Sequence, residues 1–308
     1  MKFTNEPLYK IINTIKKRLL ELKSAEVLEF EVLNPDNFDS TYAGTEVQID
    51  NTTYIYRSLK AYTELAEQLF CKMLIPTQID EKSVLIRFKK LNREESFHKQ
   101  VQSSEKYGTD SHFSKIHKNE EPSFLMHYVH ALKKVDIDKR VRILNLGVNS
   151  GEEFEIIQKL SSNFEKQELI GIDYCQSAIK EAKKVFNSPN ISFIQHDINN
   201  LDSLELGQFD LIISIGTLQS SNLEFKLLFN HIVQKYLKKD GAMILGFPNC
   251  RWIDGEMIYG AKTKNYSFSE LSLFIKDAHY CKKYLQQKKY KVTLSGKNYI
   301  FLSATSIR

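Results

Sequence analysis

No stretch of this 308-residue chain approaches the roughly 18 consecutive apolar residues of a membrane-spanning helix, and its charged start, MKFTNEPLYK, lacks the apolar core of a secretory signal. A cytoplasmic protein with no membrane partner is expected. Cysteine is scarce: Cys71, Cys175, Cys250 and Cys281 stand far apart with no C-x-x-C pair, which argues against a disulfide framework and against a zinc site. His127 and His130 lie three apart on an expected helix, but no carboxylate or cysteine sits at ligand spacing, so no metal is expected. There is one tryptophan, no internal repeat and no low-complexity tract. The dinucleotide fingerprint G-x-G-x-x-G is missing too, since Gly147, Asn149 and Glu152 occupy the positions that should all be glycine. What is present is an ordinary globular composition, 42% hydrophobic and 26% charged, in a chain long enough for about two domains.

Positive charge is concentrated at one end. From Lys262 to Arg308, ten Lys or Arg stand against Glu270 and Asp277, a local charge of +8 in a chain of net +5, so residues 1–261 carry −3. Any long-range positive field belongs to the C-terminal end.

Along the chain, Leu8, Ile11, Ile12, Ile15 and Leu19 recur at helical spacing and predict an amphipathic opening helix. VLEFEVL reads as a strand, and TEVQI and TYIYRS flank the turn signal Asp50-Asn51 as a hairpin. Ser58 to Met73 reads as a helix closed by Pro76, and SVLIRFKKL as another strand. Residues 1–95 are thus expected to form a small α+β domain. Residues 96–123 are polar, with a Glu120-Glu121-Pro122 stop, and read as a linker or an active-site lid. A helix from Phe124 to Val135 leads into residues 124–308, where VRILNLG, ELIGID, ISFIQHD, FDLIISIG and GAMILGF alternate with helical stretches. That alternation predicts a doubly wound, mostly parallel sheet covered on both faces. KVTLSG and NYIFLSATS, joined by a short turn containing Gly296, close it as an antiparallel hairpin.

Within this pattern, RILNLGVNSGEE is the stretch with the clearest chemistry. An apolar strand stops at Gly147 and small residues lead into a helix, a turn expected to leave backbone N–H groups free and to keep side chains out of a ligand's way. Glu152 and Glu153 in the first helical turn would repel a pyrophosphate, so a ligand without phosphates suits the turn better.

The spacing Asn145, Gly147, Asn149, Gly151 resembles motif I of the class I S-adenosylmethionine-dependent methyltransferases, with Asn145 in place of the usual acid and Asn149 in place of the middle glycine. Asparagine tolerates a left-handed turn conformation. Later elements carry the resemblance in order: GIDYC, ISFIQHDI, FDLIISIGTLQ, LKKDGAMILGF and the final hairpin. It covers residues 124–308 and implies a seven-stranded Rossmann-like sheet with an antiparallel last strand and S-adenosyl-L-methionine as cofactor. By the same resemblance, Asp173 with its neighbour Tyr174 would hold the ribose. Asp197 with Ile198 would hold the adenine, and Ser214 and the Gly216–Gln219 loop would lie near the methyl group. Asp173 and Asp197 read equally as helix-capping or turn residues. An Asp173→Ala variant is expected to bind donor weakly while the apo protein melts almost unchanged.

The acceptor is less legible. Ser214-Ile215-Gly216-Thr217 stands where an Asn/Asp-Pro-Pro-Tyr/Phe motif would mark an exocyclic base amine. Tyr107, Asp110 and His112 before motif I, and Gln219, are candidates for assisting transfer. Cys250 stands where some pyrimidine methyltransferases resembling this fold carry a nucleophile, though their neighbouring motifs are absent. Asn249 to Tyr266 is rich in residues that grip substrates, with Arg251, Trp252 and Tyr259 foremost, and reads equally as a structural loop. Residues 1–95 are expected to recognise the acceptor. A small-molecule acceptor is favoured over RNA, for which the basic C-terminal end with Trp252, Tyr259 and Tyr266 would supply charge and stacking. A non-catalytic nucleoside-binding module, or a transferase using a modified donor, are the other readings.

Overall fold

The structure is a computed structural model and describes residues 1–94, 108, 111–220, 222–261 and 271–307. Two compact units divide the chain, Met1–Ser96 with Trp252–Ile258, and Phe97–Arg251 with Tyr259–Arg308.

The first unit opens with helix α1 (Leu8–Glu21), which buries Ile11, Ile15 and Leu19 at the spacing of one helical face. Strands β1 (Val27–Leu33), β2 (Glu46–Ile49) and β3 (Thr52–Ile55) follow, then helix α2 (Leu59–Gln68) and strands β4 (Cys71–Gln78) and β5 (Ser83–Lys90). The β2–β3 hairpin forms as expected, with Asp50 at φ +46° and Asn51 at φ +61°, the two left-handed positions of a tight hairpin turn. Ser58 caps α2 by accepting the Ala61 N–H at 3.3 Å.

The helix expected from Ser58 to Met73 is shorter. It ends at Gln68, and residues 71–78 leave it as an edge strand in the antiparallel order β1-β5-β4. Pro76 sits where the β4–β5 register shifts, between Leu74 and Thr77, so it interrupts a strand instead of closing a helix. Phe30 and Phe88 meet edge to face at 5.1 Å in a core that α1 and α2 cover.

The second unit runs α3 (Pro122–Lys134), β6 (Arg142–Leu146), α4 (Glu152–Leu160), β7 (Glu168–Asp173), α5 (Gln176–Val185), β8 (Ile191–Gln195) and β9 (Phe209–Ile215). Helix α6 (Phe225–His231) passes into a π-helical turn over Ile232–Tyr236 and then β10 (Leu237–Pro248). A two-stranded sheet of β11 (Cys250–Ile253) and β12 (Glu256–Tyr259) comes next, then α7 (Ser272–Gln287), β13 (Tyr290–Gly296) and β14 (Tyr299–Ser306).

The seven-stranded sheet has the order β13-β14-β10-β9-β6-β7-β8, and β14 runs antiparallel to both its neighbours. This is the doubly wound sheet expected from the sequence. Its central strands bury both faces, which is why they read as near-continuous apolar runs. Leu144, Leu146, Ile212 and Met243 join one core with α6 and α7, and Ile143, Leu211, Ile213 and Ile244 join another with α3, α4 and α5. Among the described residues, no helix is long and apolar enough to cross a membrane.

The first unit's separate core makes a testable case. Phe30→Ala removes a fully buried ring and should cost about 3–5 kcal/mol. Trp252, the only tryptophan, belongs to this unit, so its fluorescence transition should move to lower urea while far-UV circular dichroism keeps a later component unchanged. Identical shifts in both signals would mean that the two cores unfold as one.

Candidate active site

Strand β6 delivers the chain to a turn whose shape is dictated by close neighbours. Gly147 has φ +78°, and a Cβ on it would lie 1.8 Å from the Thr217 Oγ1. Gly151 has φ +90°, and there a Cβ would strike the Phe186 ring at 2.6 Å. Asn149 between them takes the left-handed conformation at φ +47°, so it does the middle glycine's conformational work. Both glycines are therefore demanded by packing and by backbone conformation together.

The turn does not keep its N–H groups free, and the expectation that it would is corrected. Gly147 and Val148 donate to the Ile172 carbonyl at 2.8 and 3.1 Å, and Gly151 donates to the Val148 carbonyl at 2.9 Å. Ser150 donates to the Asn149 Oδ1 at 2.8 Å, and Asn149 to the Asp173 Oδ2 at 2.9 Å. Five consecutive donors are thus satisfied from within the chain.

Asp173, at the end of β7, is the hub of this arrangement. Its Oδ1 accepts the Cys175 N–H at 2.9 Å ahead of α5, while its Oδ2 holds the loop at Asn149. Burial raises its pKa above the ordinary carboxylate value, against the opposing effect of those two N–H bonds; Glu153 adds to the rise and Lys118 opposes it. Because the carboxylate supports two backbone donors, removing it should destabilise the apo protein by about 1–3 kcal/mol. The expectation of almost unchanged apo melting is corrected accordingly.

The other cofactor candidates are placed as follows. Asp197 caps the short helix beginning at Ile198, accepting the Asn199 N–H at 2.9 Å, so the capping role applies to it directly, and Ile198 is buried. Ser214 is buried on β9 and donates from Oγ to the Leu146 carbonyl at 3.1 Å, tying β9 to the end of β6. Tyr174 is 52% exposed. Asn145 is 1% exposed on β6, and among the described residues neither its Oδ1 nor its Nδ2 has a hydrogen-bond partner. An amide buried in that state costs free energy on the same scale as a lost hydrogen bond.

Sequence reading missed the segment just before α3. His117 Nδ1 lies 2.9 Å from the Glu152 Oε1, and the Lys118 N–H donates to the Glu152 Oε2 at 3.2 Å. Lys118 Nζ donates to the Glu153 Oε1 at 3.1 Å, with the two side chains only 12% and 4% exposed. Asn119 Nδ2 donates to the Glu152 carbonyl at 2.9 Å. The two acids at the start of α4 are therefore engaged by a strap 33 to 35 residues earlier, a pairing that no local pattern announces. Burial alone would lower the Lys118 pKa, but Glu153, Tyr299 and Glu152 outweigh it and raise the value.

Of the catalytic candidates, Tyr107 and Asp110 lie outside the described residues. His112 is exposed at the start of a short 3-10 turn, and Gln219 is half-buried, with a buried Oε1 that has no partner among the described residues. The Asn249–Tyr266 stretch is not a long loop as far as it is described. It forms the β11–β12 hairpin around Asp254-Gly255, both at positive φ, and residues 262–266 lie outside the described residues. Arg251 donates to the Gly260 carbonyl at 3.1 Å, Tyr259 ends β12, and Trp252 belongs to the first unit. Asp254 accepts the Asn92 N–H at 3.1 Å, and Glu256 is ion-paired with Lys72. All four cysteines are buried, Cys250 among them, and burial raises the Cys71 thiol to about 12.

Over residues 137–295, more than half its length, the chain matches the family described as methyltransferase domain. It is 25% identical over 142 residues to a protein-lysine N-methyltransferase of Saccharomyces cerevisiae, covering 42% of this chain and 59% of that one. It is 32% identical over 112 residues to the malonyl-acyl-carrier-protein O-methyltransferase of Bacillus anthracis, covering 36% of this chain and 39% of that one. The matched stretches thus span less than two thirds of either relative. Among solved structures, the plantazolicin methyltransferase bound to a monoazolic analogue and SAH is similar at TM-score 0.45 and 15% identity, over 66% of this chain and 93% of that one. The strands, the loop and the family match over residues 137–295 lead to one assignment: the chain belongs to the methyltransferase domain family.

Proposed function

We propose that the chain transfers the methyl group of S-adenosyl-L-methionine to a small-molecule acceptor, with the donor held at the C-terminal ends of β6, β7 and β8. The observation that carries the donor site is the Asp173 carboxylate. An ionised carboxylate offers about four acceptor positions, and the Asn149 and Cys175 N–H groups take two of them. Two remain for a vicinal diol such as the ribose. Asp197, with the neighbouring Ile198, serves the adenine, and the Gly147–Gly151 loop with Asn145 and Asn149 serves the amino-acid end. The orphaned Asn145 amide fits a polar ligand that reaches it directly or through water.

When bound, the donor supplies a methyl group on a positive sulfur, which leaves neutral in an in-line displacement. The chain's share is to align donor and acceptor and to exclude water. Gln219 follows β9 with a buried, unpartnered Oε1 and is suited to orient an acceptor O–H or N–H. The first unit has its own core and none of these donor residues, which supports acceptor recognition as its role.

The basic end supports the small-molecule reading over RNA. Lys291 pairs with Thr305, which pairs in turn with Ala242 at the start of the regular β9–β10 pairing. By the strand registers Asp173 lies level with Gly246, four residues on from Ala242, so Lys291 lies about 13 Å from it along the strands and five strands away across the sheet. Exposed Lys288 and Lys289 follow the C-terminus of α7, where positive charge complements the helix dipole, and Lys291 lies on the edge strand β13, where lysine discourages further strand pairing.

Two measurements test this. Asp173→Ala should weaken calorimetric binding of S-adenosylhomocysteine by about 1.5–3 kcal/mol, roughly ten- to a hundred-fold, and should also lower the apo melting temperature. Full affinity in the variant would remove Asp173 from the donor site. Bulk tRNA titrated from low to moderate salt should bind weakly, with a shallow dependence of log affinity on log salt. A slope steeper than about −3, flattened by Lys288→Gln with Lys289→Gln, would make RNA the acceptor.

A further inference from the structure

We infer that Thr217 is a donor-contact residue: its hydroxyl oxygen, held against Gly147, faces the sulfonium methyl group of the bound donor and makes the site prefer donor over demethylated product. The inference rests on the donor site proposed above. It starts from the tightest approach at the end of β6. Gly147 has φ +78°, and the space its side chain would fill is taken by Thr217: a Cβ there would lie 1.8 Å from the Thr217 Oγ1 and 2.6 Å from its Cβ and Cγ2. The oxygen is the nearest atom. The backbone on either side of Thr217 is anchored. The Gly216 N–H donates to the Gly246 carbonyl at 2.8 Å, the Ser220 N–H donates to the Thr217 carbonyl at 3.0 Å, and Leu218 between them is buried in the core that includes Leu228 and Phe229 of α6. Thr217 itself is half-buried, and among the described residues its hydroxyl makes no hydrogen bond. Valine has the same shape and would fill the space over Gly147 as well, so the hydroxyl calls for another reason.

Strand order supplies it. In the proposed site the adenine lies at the end of β8, the ribose at the end of β7 and the amino-acid end along the loop after β6, and the sheet runs β9-β6-β7-β8. The donor sulfur joins the ribose to the amino-acid chain, so it crosses the ends of β7 and β6. In an in-line displacement its methyl group points to the side from which the acceptor comes. That side is β9, whose following loop carries Gln219, and the side chain of this loop that meets Gly147 is Thr217. A methyl group on a positive sulfur carries part of the charge on its hydrogens, and a hydroxyl oxygen with free lone pairs accepts C–H contacts from it. The contact exists only while the methyl is in place. S-adenosylhomocysteine is a neutral thioether with neither the charge nor the methyl, so the oxygen favours donor over product.

Calorimetric titration of the full chain with S-adenosylmethionine and with S-adenosylhomocysteine, without acceptor, reads the preference as the ratio of two dissociation constants. Thr217→Val keeps the packing on Gly147 and removes the oxygen. It should weaken S-adenosylmethionine binding by about three-fold or more and leave S-adenosylhomocysteine binding at the wild-type value. Thr217→Ser keeps the oxygen and should keep the wild-type ratio. Circular dichroism identifies a variant that fails to fold, and Thr217→Ala replaces the Val variant if that one does. An unchanged ratio in the folded Val variant, or both affinities reduced alike, would reduce Thr217 to packing on Gly147 and overturn the inference, as would a Ser variant that behaves like the Val one. A wild-type protein that binds neither nucleoside would instead overturn the donor site itself.

Discussion

The Asp173 carboxylate is the interaction on which the second unit's working end depends. It is the point where the end of β7, the loop after β6 and the start of α5 are joined, through one N–H from Asn149 and one from Cys175. A carboxylate can do this because it accepts several bonds at once, and because its partners are backbone donors that the turn must satisfy somewhere. The same group that shapes the loop has acceptor positions beyond those two, so under the proposed function loop geometry and donor affinity are coupled through a single side chain. Burial works against the charge that this coupling needs.

Much of this was legible in the sequence because it rests on local pattern. Alternating apolar strands and amphipathic helices announce a doubly wound sheet, and small residues after a buried strand announce the β6–α4 turn. Two misreadings have local causes. Leu69 and Met73 extend the apolar spacing of α2, so the pattern predicts a helix where an edge strand begins; pairing with β5, which no local window contains, makes it a strand. The β11–β12 hairpin carried a signal that was passed over, the Asp254-Gly255 pair between CRWI and EMIY. The Lys118–Glu153 pair is different in kind. Its partners are 35 residues apart and meet only once α4 has formed, so no window of sequence contains the information.

Charge shows the same limit. A run of +8 at the C-terminal end invites a polyanion, yet Lys288, Lys289 and Lys291 fall at a helix terminus and an edge strand, at the opposite end of the sheet from Asp173. Net charge places a field on a molecule, and topology decides whether a site lies within it. The family assignment leaves the acceptor open, since the two curated relatives are named for a protein lysine and for a malonyl-acyl-carrier protein.

Peptide-resolved hydrogen exchange, with and without S-adenosylhomocysteine, tests the coupling most directly. The account predicts that peptides covering residues 145–155 and 172–178 slow together on ligand addition, because Asp173 links them, while the β1 peptide over residues 27–33 in the first unit is unaffected. Protection of only one of the two linked segments, or of β1 in their place, would contradict it.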